Sequence, residues 1–273
     1  MPAIVPARED SIAKFVGKLR KLLSGGDRGI RIVEEGGVRH LHIGGRAIQS
    51  AIRLDAPDRL ELDYVRAMMA FLLFRPQPRH VLMVGLGGGS MARFIHQRMP
   101  RTRVTVVEID PEVLAAARKY FHFPEDDRRL EVVIGDGAGI VPEQRAKADV
   151  LVLDGFDNGE TAAGLCTQPF YDAAFAALRA PGVLVANFMA DDKRLGRHLE
   201  RIGKSFGRAP TLLLAEEKDN MIAFAHRGGP PRIAWTGLKA RALAANALYG
   251  LRLDECLPPL RRRNPHTARF LTL

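Results

Sequence analysis

The residues with the clearest chemical potential are two carboxylates at the end of an apolar run. Val150-Leu151-Val152-Leu153 leads into Asp154-Gly155-Phe156-Asp157-Asn158-Gly159. A run of that length reads as a buried strand, so the Asp154 carboxylate should stand at the rim of a pocket rather than in bulk water. Asp157 follows three residues later, in a glycine-flanked loop that can fold over the same opening. Two such carboxylates suit two tasks: taking a proton from a nucleophile, and holding a cationic substrate in line. Like charge nearby and partial burial would raise one of the two pKa values, as a base requires. The competing reading is an Asx-turn that only closes the strand.

Three further strand ends carry candidate ligand contacts. Val81-Leu82-Met83-Val84 runs into Gly85, Gly87, Gly88 and Gly89, four glycines within five residues, and Met91, Ala92, Phe94 and Ile95 then return at helical spacing. Strand, tight turn and helix N-terminus in that order form a cradle for a nucleotide or nucleoside, because glycine permits positive φ and close approach of a ligand. The same turn could serve only close strand and helix packing. Roughly 20 residues on, Val104 to Val107 ends in Glu108, where dinucleotide-type folds place the acid that holds ribose hydroxyls. Gly135-Asp136-Gly137 offers a short acceptor for an exocyclic amine such as adenine's, or a simple turn.

These four points need a framework that brings strand ends together. Strands are expected at Val81–Val84, Val104–Glu108, Leu130–Ile134, Val150–Asp154, Val183–Phe188, Leu212–Glu216 and Met221–Ala225, with helices at Met91–Gln97, Pro111–Tyr120 and Gln168–Leu178 between the earlier ones. Alternation of this kind predicts an α/β fold, a Rossmann-like seven-stranded and mostly parallel sheet with ligands at the carboxyl ends of its strands. The last two strands, separated only by Glu217 to Asn220, should pair antiparallel. Upstream, Ser11–Leu23 reads as an amphipathic helix. Ile30–Glu34 and Val38–Ile43 read as a hairpin around Glu35-Gly36-Gly37, with a further strand within Ala47–Leu54. A helix over Arg59–Phe74 stops at Pro76 and Pro78. The division expected is an N-terminal unit, residues 1–75, of a helix and a small antiparallel β unit. Residues 76–273 form the Rossmann-like domain, with Gly237–Leu248 as a basic helix near its end.

Composition is that of a globular chain, 47% hydrophobic and 26% charged over 273 residues. No apolar run reaches membrane length, and the first ten residues lack the apolar core of a secretory signal. Two cysteines, Cys166 and Cys256, cannot make a disulfide framework or a four-ligand zinc site, which favours a cytoplasmic setting. The net charge of +10 is spread among acidic neighbours without interleaved aromatics, so it reads as solvated surface and not as a nucleic-acid interface.

Taken in order, VGLGGGS, VVEID, GDG, DVLVLDGFD and PFYDAAFAALRAPGVLVANF resemble the spermidine synthases, the polyamine aminopropyltransferase family. The resemblance spans roughly Gly36 to Ala225 and implies the fold of class I methyltransferases. It implies that Glu108 binds the ribose and Asp136 the adenine of decarboxylated S-adenosylmethionine, beside Gly85, Gly87, Gly88, Gly89 and Gly137. Asp154 would deprotonate the attacking amine, with Asp157 and Tyr64 near the polyamine and Gln49 bordering the same cavity. A homodimer, a small-molecule amine or polyamine as partner, and no metal are further implications.

Three departures bear on the substrate. Gly88 stands where the family carries an Asp for the donor's terminal amine, Val65-Arg66 follows Tyr64 where the family has a polar or acidic pair, and Asn158 replaces a proline. Two other readings therefore stand beside aminopropyl transfer. One is an S-adenosylmethionine-dependent methyltransferase on the same fold, and the other is a non-catalytic or nucleic-acid-associated binding protein.

Overall fold

The computed structural model describes residues 29–44, 48–157, 160–215 and 219–273. The helix expected over Ser11–Leu23 lies outside them. The N-terminal hairpin forms as expected: β1 (Ile30–Glu35) pairs antiparallel with β2 (Val38–Ile43), and β3 (Ser50–Arg53) adds to β2. Helix α1 (Asp63–Met68) continues as a 3-10 turn through Leu73. It starts four residues later than Arg59, and it ends before the prolines at 76 and 78, which supply no N–H to extend it.

From His80 onward the chain alternates as the apolar runs predict. Strands β4 (His80–Val84), β5 (Arg103–Glu108), β6 (Leu130–Ile134) and β7 (Ala148–Leu153) are joined by helices α2 (Ser90–Arg98), α3 (Pro111–Tyr120) and the short α4 (Gly137–Ile140). A small ribbon of β8 (Phe156–Asp157) and β9 (Glu160–Thr161) precedes α5 (Gln168–Ala177). After it come β10 (Leu178–Met189), α6 (Leu195–Phe206), β11 (Thr211–Leu214) and β12 (Asn220–Arg227). The seven-stranded sheet has the order β11-β12-β10-β7-β4-β5-β6. Strand β12 runs antiparallel to both β10 and β11, and the other pairs are parallel.

Alternate side chains along each strand project to opposite faces, so the sheet is buried twice. Val81, Met83, Val104, Val106, Val150 and Val152 belong to one core, together with Ile32, Leu41 and Ile52 of the N-terminal sheet and Leu238 of α7 (Trp235–Tyr249). Leu82, Val84, Val107, Leu151 and Leu153 belong to the other, against Phe170 and Ala174 of α5 and Ile202 and Phe206 of α6. The N-terminal sheet thus shares one core with the central sheet. The C-terminal segment adds α8 (Leu257–Arg263), and β13 (Arg232–Ala234) pairs with β14 (Phe270–Thr272). Among the described residues no helix is long and apolar enough to cross a membrane.

The start of β4 is fixed to β7 by a buried carboxylate. Asp149 Oδ1 accepts from Arg75 Nη2 at 2.8 Å, and Oδ2 accepts from the backbone N–H groups of Arg79 at 2.7 Å and His80 at 3.0 Å. Burial pulls its pKa upward, but the Arg75 hydrogen bond and the two N–H donors outweigh burial and hold it below the ordinary carboxylate value. Its contribution is therefore present above the unfolded pKa and lost as pH falls through the lower folded one. Asp149→Ala, which strands two N–H groups and a guanidinium, is expected to lower stability by about 3 kcal/mol in denaturant melts at neutral pH. The deficit should shrink as the melts are repeated at more acidic pH.

Strand β4 is the switch point of the sheet, with β5 on one side and β7 on the other. Crossovers leaving in opposite directions open a crevice at the carboxyl ends of the strands. Gly85, Glu108, Gly135 and Asp154 stand at the ends of β4, β5, β6 and β7, so all four motifs converge there.

Candidate active site

A cavity of about 520 Å³ occupies that crevice. Its wall includes Gln49, Tyr64, Gly85, Gly87, Glu108, Asp136, Gly137 and Asp154, so eight of the residues picked from sequence meet around one space. Gly88 and Gly89 are not in the wall. A Cβ at Gly88 would meet Ser50 and Phe121, and one at Gly89 would meet Phe123. The structure describes Asp157 by its main chain, which pairs with Glu160 in the β8–β9 ribbon. Asn158 and Gly159 lie outside the described residues.

Glu108 ends β5 and is 7% exposed. Its Oε2 accepts from the Leu86 N–H at 2.9 Å and its Oε1 from the Asp110 N–H at 2.9 Å, so the carboxylate ties the glycine loop to the start of α3. Burial raises its pKa, and the surrounding N–H donors act against that rise. With the N–H groups of Leu86, Asp110 and Ile109 facing it, the carboxylate keeps acceptor capacity for a hydroxyl group in the cavity. Asp136 combines both of its sequence readings: it lines the cavity, and its Oδ1 caps α4 by accepting from the Ala138 N–H at 2.8 Å.

Asp154 follows β7 and is partly buried. Its N–H donates to the Val84 carbonyl at 2.9 Å, and its Oδ1 accepts from Asn187 Nδ2 at 2.8 Å. Asn220 Nδ2 in turn donates to Asn187 Oδ1 at 3.0 Å, so the amide orientation that faces Asp154 is enforced by the neighbouring strand. Burial pushes the Asp154 carboxyl up to about 6, and the Asn187 hydrogen bond opposes the rise. Gly85 is required beside it. With φ at +98°, a Cβ there would lie 2.3 Å from the Asp154 carbonyl oxygen, which no ordinary side chain tolerates.

Tyr64 on α1 closes the opposite wall, its hydroxyl donating to the Gln49 carbonyl at 3.0 Å. Burial and then the charge of Asp154 hold that hydroxyl well above its ordinary pKa, so it stays a neutral donor. Arg66, two residues on, turns away from this space. Its Nη2 pairs with Asp63 Oδ1 at 3.1 Å, and both residues line a separate cavity with Arg252 and Cys256. Among the described residues no arginine lines this cavity, whose wall includes Val65.

Asn187, Asn220, Ser50 and Ser90 join the site without being apparent from sequence reasoning. Asn187 had a visible signal, a polar residue inside the apolar run Val183–Phe188, whereas Ser50 becomes meaningful only once Gly88 is seen to make room for it. Among the described residues no group of three or more His, Cys, Asp or Glu side chains is placed to hold a metal ion.

Comparison with known proteins narrows what this cavity does. The spermine/spermidine synthase domain matches residues 61–196. A polyamine aminopropyltransferase of Chromobacterium violaceum is 38% identical over 244 residues, 89% of this chain and 94% of that protein. The spermidine synthase structure from Thermotoga maritima aligns with a TM-score of 0.62 at 26% identity, covering 75% of this chain and 72% of that one. Human methyltransferase-like protein 13 aligns with a TM-score of 0.61 at 26% identity, over 76% of this chain and 95% of that one.

Proposed function

The chain belongs to the spermine/spermidine synthase family of polyamine aminopropyltransferases, and on that premise we propose that its cavity joins an amine to the propyl chain of decarboxylated S-adenosylmethionine, with Asp154 taking the proton the amine must lose. The enzyme is a transferase. The methyltransferase reading is not favoured, because the relatives matched over most of the chain carry the aminopropyltransferase name while the methyltransferase neighbour shares the fold.

The observation that carries the proposal is the state of Asp154. A carboxyl with a pKa of about 6 at the rim of an adenosyl-sized cavity is ionised near neutral pH yet basic enough to accept a proton. An alkylamine, with a pKa of roughly 10, arrives protonated. Asp154 takes one proton, the freed nitrogen lone pair forms a bond to the carbon next to the sulfonium, and the carbon–sulfur pair leaves with sulfur as a neutral thioether. Sulfonium is already a good leaving group, so the remaining contribution of the protein is alignment. Glu108 would receive the ribose hydroxyls, Asp136 the adenine amine, and Gly85, Gly87 and Gly137 would let the nucleoside approach the backbone. Tyr64, Gln49 and Asp157 would border the amine. We read the acceptor as a small linear amine or polyamine and the assembly as a homodimer. The cytoplasm as its setting is supported by two free thiols.

Calorimetric titration with decarboxylated and intact S-adenosylmethionine, side by side, tests the donor. The decarboxylated compound is expected to bind at least tenfold more tightly, about 1.4 kcal/mol; preference for the intact cofactor contradicts the proposal.

A further inference from the structure

We propose that Asn220 is a positioning residue for the transfer step, fixing the Asn187 amide so that its N–H meets Asp154 Oδ1 and Oδ2 is left to take the proton of the amine. The inference rests on Asp154 being the base. Neither asparagine is among the described residues that line the cavity, so both act through Asp154 and not on substrate.

Sheet register brings the three side chains together. In the parallel pair of β10 with β7, Ala186 lies opposite Leu153, which sets Asn187 beside Asp154. In the antiparallel pair of β10 with β12, Met189 lies opposite Asn220, and Asn187 opposite Ile222. Side chains return to one face at every second residue, so Asn220 is the diagonal neighbour of Asn187. The same face carries Val183, Val185, Ile222 and Phe224 in the apolar core. Two amides therefore interrupt an otherwise apolar face where it reaches Asp154.

Chemistry then fixes which way the amides point. An ionised carboxylate only accepts, so Asn187 must turn its Nδ2 towards Asp154 Oδ1, 2.8 Å away. Its oxygen is left on the other side, where Asn220 Nδ2 donates to it at 3.0 Å. Met189 Sδ, 4.0 Å from the same Nδ2, is a second and weaker acceptor that favours this orientation of Asn220. Asn187 is 3% exposed, so without Asn220 its oxygen would be buried with no partner among the described residues. A turned-over Asn187 would present that oxygen to Asp154, which suits the protonated acid and not the base. By favouring the opposite orientation, Asn220 keeps Asp154 ready to accept. Among the described residues Oδ2 takes part in no hydrogen bond, and it is the oxygen open to the amine.

The other titratable groups around Asp154 have partners of their own. Tyr64 on α1 donates to the Gln49 carbonyl, Glu108 accepts from Leu86 and Asp110, Asp110 from Glu112, and Asp136 from Ala138. Asp219, next to Asn220 in the chain, is exposed. A change confined to Asn220 leaves all of these in place.

The acid limb of kcat/KM reads the effect. Asn220→Leu, similar in shape but without a donor, is expected to move that limb upward by about half to one pH unit, while affinity for 5′-methylthioadenosine stays within about twofold. Asn220→Asp, which can only accept from Asn187 once ionised, is expected to move the limb further in the same direction. Asn187→Leu should move it at least as far as Asn220→Leu does, and adding Asn220→Leu to that variant should change nothing more. A limb unmoved in both Asn220 variants overturns the proposal, as does a shift that persists at full size in the Asn187→Leu background. Methylthioadenosine affinity that falls as much as kcat marks a damaged site and likewise overturns it. A wild-type enzyme with no acid limb near pH 6 overturns Asp154 as the base, and the role of Asn220 with it.

Discussion

Asp154→Asn is expected to reduce turnover by about a hundredfold to ten-thousandfold, the usual range for loss of a positioned base, while donor affinity stays within a few-fold. Asparagine keeps the shape and the acceptor that Asn187 needs but cannot take a proton. In the wild type, kcat/KM should fall as pH drops through about 6, where Asp154 becomes protonated. That acid limb should be absent in the variant. Undiminished transfer by Asp154→Asn would remove this residue from the chemistry.

The same substitution has an opposite effect on stability. Asp154 binds its proton more tightly in the folded chain, at about 6, than an ordinary aspartate does at 3.8. The folded state therefore holds more protons between those values, and stability falls as pH rises through that window. Above it the cost is about 2 kcal/mol after allowance for the partial exposure of the group. Asn carries no such cost, so the variant should melt roughly 5 °C higher near pH 7.5, with the difference closing near pH 4. A less active but more stable enzyme is the signature of a group held in an unfavourable state for function.

Glu108→Gln should produce the complementary pattern, donor affinity lowered about a hundredfold with kcat at saturation reduced far less. The carboxylate accepts from Leu86 and Asp110 on separate oxygens. An amide offers one oxygen, so one backbone N–H would face an NH₂ group, the glycine loop would lose its tether to α3, and the charge that strengthens a ribose hydrogen bond would vanish. Titration with the donor and steady-state kinetics on the two variants together should separate binding from chemistry. A kcat loss in Glu108→Gln as large as in Asp154→Asn would mean that the two residues are not functionally distinct.

The seven strands are legible because each is a short apolar run, most of them ended by glycine or a charged residue, and a sheet covered on both faces gives that pattern. Helix α6 is the less legible element, although Leu195, Leu199, Ile202 and Phe206 recur at helical spacing. Gly196 and Gly203 interrupt it with poor helix formers, and packing against α5 overrides their preference. Strand β10 begins at Leu178, five residues before Val183, across a proline that argues against a strand. The pairing of β13 with β14 joins segments about forty residues apart and leaves no local trace.

At the site, strand-end acids could be named from sequence because sheet topology alone brings them together. What escaped were side chains that act on other side chains. Asn187 faces Asp154 from a neighbouring strand, and Ser50 reaches the glycine loop from the N-terminal sheet. Gly88 illustrates the difference. As a letter in the sequence it is a missing acid, whereas in the fold it is the space that a serine fills.

Product identification tests the central claim most directly. The purified chain, incubated with decarboxylated S-adenosylmethionine and a panel of linear diamines, is predicted to release 5′-methylthioadenosine together with an amine lengthened by one aminopropyl group, both resolved by mass spectrometry. Methylated amine and S-adenosylhomocysteine formed from intact S-adenosylmethionine, with no turnover of the decarboxylated donor, would contradict it.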